Sequence, residues 1–198
     1  MAVSDRNQHQ FNLSKCKVAI LATNGFEESE LMSPLAALKA AGADVSIVSI
    51  EKSADSIRGW SDGNWSGKTV KVDGTVPNTK ADSFDALMLP GGVMNPDKLR
   101  TNTDAVSFVR DFFSAGKPVA AICHAPWLVV EAGAAGGRRM TSYPSIRTDV
   151  TNAGATWVDE SVVTDRGLVT SRSPKDLADF NVKMVEEFSE GAHARQHA

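Results

Sequence analysis

Apolar positions along this chain fall into two periods. Residues 17–23 (KVAILAT) are a short apolar run, predicted as a strand covered on both faces. Asn24-Gly25 ends it. Residues 28–41 follow with acids in the first turn, Leu31, Leu35 and Leu38 at helical spacing, and Gly42 as a stop, which predicts a helix. Residues 44–50 (DVSIVSI) predict a second strand, so the chain opens β-α-β, a crossover that is almost always right-handed. Residues 53–76 break the pattern: polar, rich in Gly and Trp, with one β-like piece at 69–72, they predict a small excursion or hairpin. A core strand is predicted at 84–89 (FDALML), running into Pro90-Gly91-Gly92. Residues 104–114 predict a helix with Val106, Val109, Phe112 and Phe113 inward, and Gly116-Lys117-Pro118 turns the chain into a buried strand at 119–122. Cys123 follows directly. A helix is predicted at 125–131, with Pro126 tolerated in its first turn and Gly133, Gly136 and Gly137 beyond it. A short helix at 145–152 and strands at 156–158, 162–164 and 168–170 come next, the last two joined across Asp165-Arg166-Gly167, and residues 175–188 close the chain as a helix. This alternation predicts an α/β fold with a mostly parallel central sheet and helices on both faces.

The length, 198 residues, fits one domain at 17–190, with a flexible leader at 1–16 and a mobile tail at 191–198. A hydrophobic fraction of 42% supplies a core, and a net charge of −3 gives no footprint for gripping a nucleic-acid backbone, so no sequence-specific nucleic-acid binding is expected. No apolar run is long enough to cross a membrane and the polar N-terminus lacks a signal-peptide core, so a cytoplasmic location without a membrane partner is expected. Two cysteines, Cys16 and Cys123, make neither a disulfide framework nor a CxxC pair, and three of the four histidines (His9, His193, His197) lie in the polar terminal segments. No metal or organic cofactor is expected.

Ligands of open parallel sheets bind at the carboxyl ends of the strands. Three segments with chemical potential fall there: 25–30, Pro90-Gly91-Gly92 and Cys123-His124. A strand–nucleophile–helix turn pushes a side chain out above the sheet beside the N–H groups of a helix end, an environment that favours a thiolate. Spacing alone is equally consistent with Cys123 as a small buried apolar residue; the Gly-Gly loop and the acid cluster favour chemistry. His124 is the one histidine outside the terminal segments, so any catalytic histidine in the domain is adjacent to the nucleophile. Glu27, Glu28 and Glu30 suit the first turn of a helix, and one of them facing the pocket would be held protonated by burial and donate to the sulfur. Gly91 and Gly92 are read as a turn whose missing side chains expose backbone N–H groups to an oxyanion. Trp60 and Trp65 are read as packing residues.

The segments Asn24-Gly25-Phe26-Glu27-Glu28-Ser29-Glu30, Leu89-Pro90-Gly91-Gly92, Gly116-Lys117-Pro118-Val119, Ala121-Ile122-Cys123-His124, Thr141-Ser142-Tyr143-Pro144 and Thr170-Ser171-Arg172 together resemble the PfpI family of intracellular proteases and stress proteins. That family shares a superfamily with the parkinsonism-associated deglycases and the class I glutamine amidotransferase-like proteins. The resemblance implies a flavodoxin-like three-layer sandwich and a nucleophile elbow at Cys123-His124. It implies Glu30 as the acid bonded to the thiol and a carboxylate reaching the histidine from a neighbouring subunit of a dimer or hexamer. Asp97 stands at that last position, where relatives often carry glutamate, and Ala125 stands where they usually carry glycine. The implied activity is a cysteine hydrolase acting on glyoxal or methylglyoxal adducts of amines and thiols. The alternatives are an intracellular cysteine peptidase and a non-enzymatic oxidation sensor or chaperone using the same cysteine.

Overall fold

In the computed structural model, residues 11–50 and 55–193 are described. The strands are β1 (Lys17–Leu21), β2 (Phe26–Glu27), β3 (Asp44–Ser49), β4 (Ser56–Ser61), β5 (Asn64–Lys71), β6 (Gly74–Thr75), β7 (Ala86–Leu89), β8 (Val119–Ile122), β9 (Arg139–Met140), β10 (Thr156–Trp157), β11 (Val162–Asp165) and β12 (Leu168–Ser171). The α-helices are α1 (Glu28–Ala40), α2 (Met94–Arg100), α3 (Thr103–Ser114), α4 (Pro126–Glu131), α5 (Arg147–Asn152) and α6 (Leu177–Glu190).

A seven-stranded sheet in the order β11-β12-β8-β7-β1-β3-β6 forms the centre; every pairing is parallel except β11 with β12. Its five inner strands run β3-β1-β7-β8-β12, which is the doubly wound 2-1-3-4-5 order of flavodoxin-like folds. The topological switch lies between β1 and β7, where the chain winds first to one side and then to the other.

Two apolar layers explain the uninterrupted apolar runs. Side chains alternate across each strand, so Ala19, Leu21, Leu87, Leu89 and Ala121 face one side, packed with Val109, Phe112 and Phe113 of α3 and Leu128 of α4. Val18, Ile20, Met88, Ala120 and Ile122 face the other, against Leu31 and Leu38 of α1 and Phe180 and Met184 of α6. All four residues of β7 and of β8 are buried. Each large side chain so covered contributes roughly 1.5–3 kcal/mol of transfer free energy.

The predicted excursion is a hairpin, β4 against β5, that adds to β2 as a separate three-stranded sheet; it turns at Asp62-Gly63, both with positive φ. The first two residues of the segment read as the excursion, 53 and 54, lie outside the described residues. So do residues 1–10 of the expected leader and 194–198 of the expected tail. The rest of both ends packs down: Leu13 is buried and donates its N–H to the Ala41 carbonyl at 2.8 Å, and the His193 N–H reaches the Gly116 carbonyl at 2.7 Å. Among the described residues no helix is long and apolar enough to cross a membrane.

Candidate active site

Three loops converge at the carboxyl edge of the sheet, and one buried amide ties two of them together. Asn95, at the start of α2, accepts the Thr23 N–H on Oδ1 at 2.7 Å and donates Nδ2 to the Pro90 carbonyl at 2.7 Å, stapling the loop after β1 to the loop after β7. Cys123, one residue past β8, is the third element. Its φ of +63° lies in the left-handed region, which costs a non-glycine residue about 1–3 kcal/mol. Neighbours hold it there: the Cys123 N–H donates to the Ser171 carbonyl at 3.0 Å, and the Cys123 carbonyl accepts from the Tyr143 N–H at 2.8 Å. A strained residue pinned from two sides at a strand end is the elbow geometry that the sequence implied.

Of the three clustered acids, only Glu30 reaches the sulfur. Glu30 is fully buried, its carboxyl lies within hydrogen-bonding reach of the thiol, and Oε2 accepts the Gly92 N–H at 3.1 Å. Its Oε1 is buried without a hydrogen-bond partner. Glu28 turns outward to Lys68 Nζ at 2.7 Å and to the Ser66 hydroxyl. Glu27 is half-buried, accepts from the Ser29 hydroxyl at 3.3 Å and lines the cleft beside Glu30. Gly92 N–H is therefore committed to a carboxyl group rather than left open, as the expected oxyanion role would have it.

Burial dominates the electrostatics. It pushes the Glu30 carboxyl up to about 8, against the opposing bonds from Cys123 and the glycine N–H groups. The Cys123 thiol is likewise pushed up, first by burial and then by the charge of Glu30, with the Gly92 and His124 N–H groups pulling the other way. A freely ionised thiolate was the expectation from the helix end; α4 is only six residues long, and Cys123 is 6% exposed, so desolvation outweighs it. Carboxyl and thiol share one site and one proton pool, and the charge of an ionised Glu30 is itself one of the causes that hold the thiol protonated.

His124 extends this pair into a relay. Its Nδ1 lies 3.1 Å from Cys123 Sγ and its Nε2 lies 3.0 Å from Ser145 Oγ, while its ring stacks on Tyr143 with centroids 4.7 Å apart. Burial lowers the pKa of His124, which favours the neutral ring. A neutral imidazole donates from one nitrogen and accepts at the other, so a Ser145 hydroxyl donating to Nε2 selects the tautomer whose Nδ1–H points at the sulfur. The sequence offered no signal for Ser145, which arrives from 21 residues away. Removing its hydroxyl in Ser145→Ala is expected to cut kcat by about tenfold and shift the pH profile, with Ser145→Thr restoring most of the loss; steady-state kinetics across pH would show it, and an unchanged profile would refute the relay.

Asp97 does not join this cluster within the chain. Its Oδ1 accepts from Arg100 Nη2 at 2.7 Å on the exposed side of α2, and the Arg100 guanidinium covers the Trp127 ring at 4.4 Å. Ala125 is fully buried beneath the elbow. The cleft above Cys123, about 470 Å³, is walled by Trp60, Val93, Met94, Tyr143 and Pro174, with Glu27, Glu30 and His124 at its base. A larger groove of about 600 Å³, beside α3, holds no cysteine or histidine. Among the described residues one group has ligand atoms close enough to share a cation, Glu187, Glu190 and His193 at the end of α6; there His193 Nε2 already pairs with Glu187 Oε1 at 3.1 Å.

A doubly wound sheet with a buried carboxyl held against a cysteine at a strained strand–helix turn defines a class of cysteine-centred α/β domains. The DJ-1/PfpI family pattern matches residues 16–187, and the chain belongs to that family. It is 47% identical to the deglycase PH1704 of Pyrococcus horikoshii over 161 residues, covering 81% of this chain and 92% of that protein. General stress protein 18 of Bacillus subtilis is 41% identical, with 83% of this chain and 93% of the relative covered. The crystal structure of Drosophila melanogaster DJ-1beta superposes with a TM-score of 0.78 at 28% identity, covering 88% of this chain and 90% of that one.

Proposed function

We propose that this protein is a stress-response deglycase whose Cys123 removes methylglyoxal- or glyoxal-derived groups from amines and thiols. The observation that carries this reading is the fully buried Glu30 carboxyl set against the Cys123 sulfur at the floor of a small cleft. Names of relatives at 41–47% identity, a deglycase and a general stress protein, support it.

The chemistry needs a proton carrier and a nucleophile side by side. In a methylglyoxal adduct, the carbon bonded to the amine or thiol carries a hydrogen and a hydroxyl next to a ketone. In the form of the Glu30–Cys123 pair that has released one proton and keeps the other on sulfur, the Glu30 carboxylate takes that hydrogen as a proton and returns one to the ketone carbon through an enediol, so one carbon is oxidised as its neighbour is reduced. The product is an acyl derivative of the amine or thiol. Sγ then adds to the acyl carbon, the C–N or C–S bond breaks, and the leaving group departs with a proton relayed through His124. Water cleaves the Cys123 thioester. The sum is adduct plus one water, giving free amine or thiol and a 2-hydroxy acid, with no external oxidant.

Purified protein mixed with a methylglyoxal hemithioacetal should release thiol and lactate in equal amounts. Absence of lactate would refute the deglycase assignment. A small cleft and a 6% exposed cysteine favour a compact adduct over an extended polypeptide, which sets the deglycase reading ahead of the peptidase. Cytoplasmic location and self-association as a dimer or hexamer, with Asp97 approaching His124 of a neighbouring subunit, belong to the same proposal.

Glu30 also sets a pH test. Its folded pKa, about 8, lies above the ordinary carboxylate value of 4.5. The native state therefore holds a proton that the unfolded chain has lost, so stability falls as pH rises from about 4.5 to about 8. Glu30→Gln removes this penalty. Its melting temperature should exceed that of the wild type by a margin that widens between pH 5 and 8, while kcat falls by about a hundredfold or more. A constant margin would count against the buried, protonated carboxyl.

A further inference from the structure

The cleft above Cys123 is walled by apolar and aromatic groups, and its titratable floor is one-sided. Glu27 and Glu30 both line it, and no lysine or arginine among the described residues does. Cations on neighbouring elements are turned elsewhere: Lys68 Nζ to Glu28 Oε1 at 2.7 Å, Lys98 Nζ to the Asn24 carbonyl at 3.3 Å, Arg58 Nε to the Ser66 carbonyl at 2.6 Å, and Arg172, next to the Ser171 that accepts the Cys123 N–H, to Asp159 at 2.7 Å and Asp176 at 2.9 Å. Asp62, on the hairpin turn, adds a further negative charge felt by Glu27. The histidine at the site is favoured as a neutral ring. Glu30 Oε1 is fully buried without a partner in this same floor. Once the Glu30–Cys123 pair has released one proton it carries one negative charge, whichever atom holds the remaining proton, and Glu27 adds a second.

Such a cleft attracts a cation and repels an anion over a few ångströms of low-dielectric space, and the aromatic rings of Trp60 and Tyr143 in its lining are compatible with a cationic group. We propose that Glu27 and the Glu30–Cys123 pair make this site selective for adducts whose amine or thiol component carries a separate cationic group, over adducts of thiols and amines that carry an anionic one. This deepens the deglycase reading and rests on it for the word substrate, although the charge preference itself belongs to the cleft.

Two measurements separate the preference from the reading. The first uses methanethiosulfonate reagents of matched size, one carrying a trimethylammonium group, one neutral and one a sulfonate, at pH 8.5 and low salt. Modification of Cys123 is followed by mass spectrometry of its own peptide, so Cys16 does not contribute, and rates are divided by those on free cysteine. The cationic reagent is expected to react on the order of tenfold faster than the anionic one, the ratio shrinking in 0.5 M salt and in Glu27→Gln, where only the charge of the Glu30–Cys123 pair remains. Equal or reversed rates, or a ratio that Glu27→Gln leaves intact, would overturn the proposal. The second measures kcat/KM for methylglyoxal hemithioacetals of thiocholine, mercaptoethanol and mercaptopropionate, expected to fall in that order. If none of the three is turned over while the reagents keep their charge order, the deglycase reading fails and the cation-selective cleft stands.

Discussion

Cys123→Ala is expected to lose at least about a thousandfold in kcat/KM on methylglyoxal hemithioacetals while keeping a cooperative melt within a few degrees of the wild type. The activity loss is large because the thioester cannot form and no other side chain in the cleft is a nucleophile of comparable strength: Glu27 and Glu30 are carboxyls and His124 is tied to Ser145. Stability changes little because the deletion removes one sulfur from a site that is strained to begin with, at φ +63°. The strain makes a second variant informative. Cys123→Gly adopts the same left-handed backbone without the Cβ penalty. It should be equally inactive yet more stable than Cys123→Ala by about 1 kcal/mol. Retention of more than a tenth of wild-type turnover in either variant would remove the cysteine from the chemistry. A glycine variant more stable than the alanine variant, both inactive, is the expected signature of a residue held in an unfavourable conformation for function rather than for folding.

Much of the architecture was legible because strands buried on both faces must be apolar along their whole length. The runs at 18–21, 86–89 and 119–122 are buried without exception, and a buried parallel strand leaves no other reading for a segment four to five residues long. Helix α3 announced itself through Val106, Val109, Phe112 and Phe113. Helix α2 did not: the sequence Met-Asn-Pro-Asp-Lys-Leu-Arg has one apolar anchor, Leu99, and its position is set by the Asn95 staple to two distant loops. The two-residue strands β2, β6, β9 and β10 are too short to carry a period. Only the last was anticipated, and it pairs with β9 outside the central sheet.

The site divides in the same way. Cys123, His124, Gly91 and Gly92 were legible because strand ends in a parallel sheet converge, and a strand end can be read from the sequence. Choosing among Glu27, Glu28 and Glu30 took the resemblance, since all three suit a helix first turn; the structure separates them by what each faces, the cleft, the hairpin or the sulfur. Ser145 was invisible because its contact with His124 depends on how the loop after β9 folds back over the elbow. The ionisation state was also out of reach. A helix end near a cysteine suggests a stabilised anion, yet desolvation at 6% exposure reverses the sign, and only the depth of the sulfur decides between them.

Gly91→Ala is expected to damage folding and catalysis together, and more than any other single methyl group added near the site. Gly91 has no positive φ, so its requirement for glycine is one of space. A Cβ there would sit 2.6 Å from Cys123 Cβ and 2.7 Å from the Ile122 carbonyl oxygen, and would also strike Glu30 Oε2. Two of those atoms belong to the rigid end of β8, and the third is the proton carrier, so relief requires the loop after β7 to move away from the elbow. Overpacking of this kind costs about 1–3 kcal/mol, or roughly 3–10 °C in a domain of this size. The same movement withdraws the Gly92 N–H from Glu30 and opens the carboxyl–thiol contact, so kcat should drop by about a hundredfold with a smaller change in KM. Gly67→Ala provides the control: nothing lies within 4 Å of a Cβ there, and its melting temperature and turnover should stay at wild-type values. Calorimetry of the two variants side by side decides the matter. If Gly91→Ala melts within about a degree of Gly67→Ala, the loop is softer than its packing implies, and the tight apposition of β7 loop, carboxyl and sulfur is not what holds the reacting groups in register.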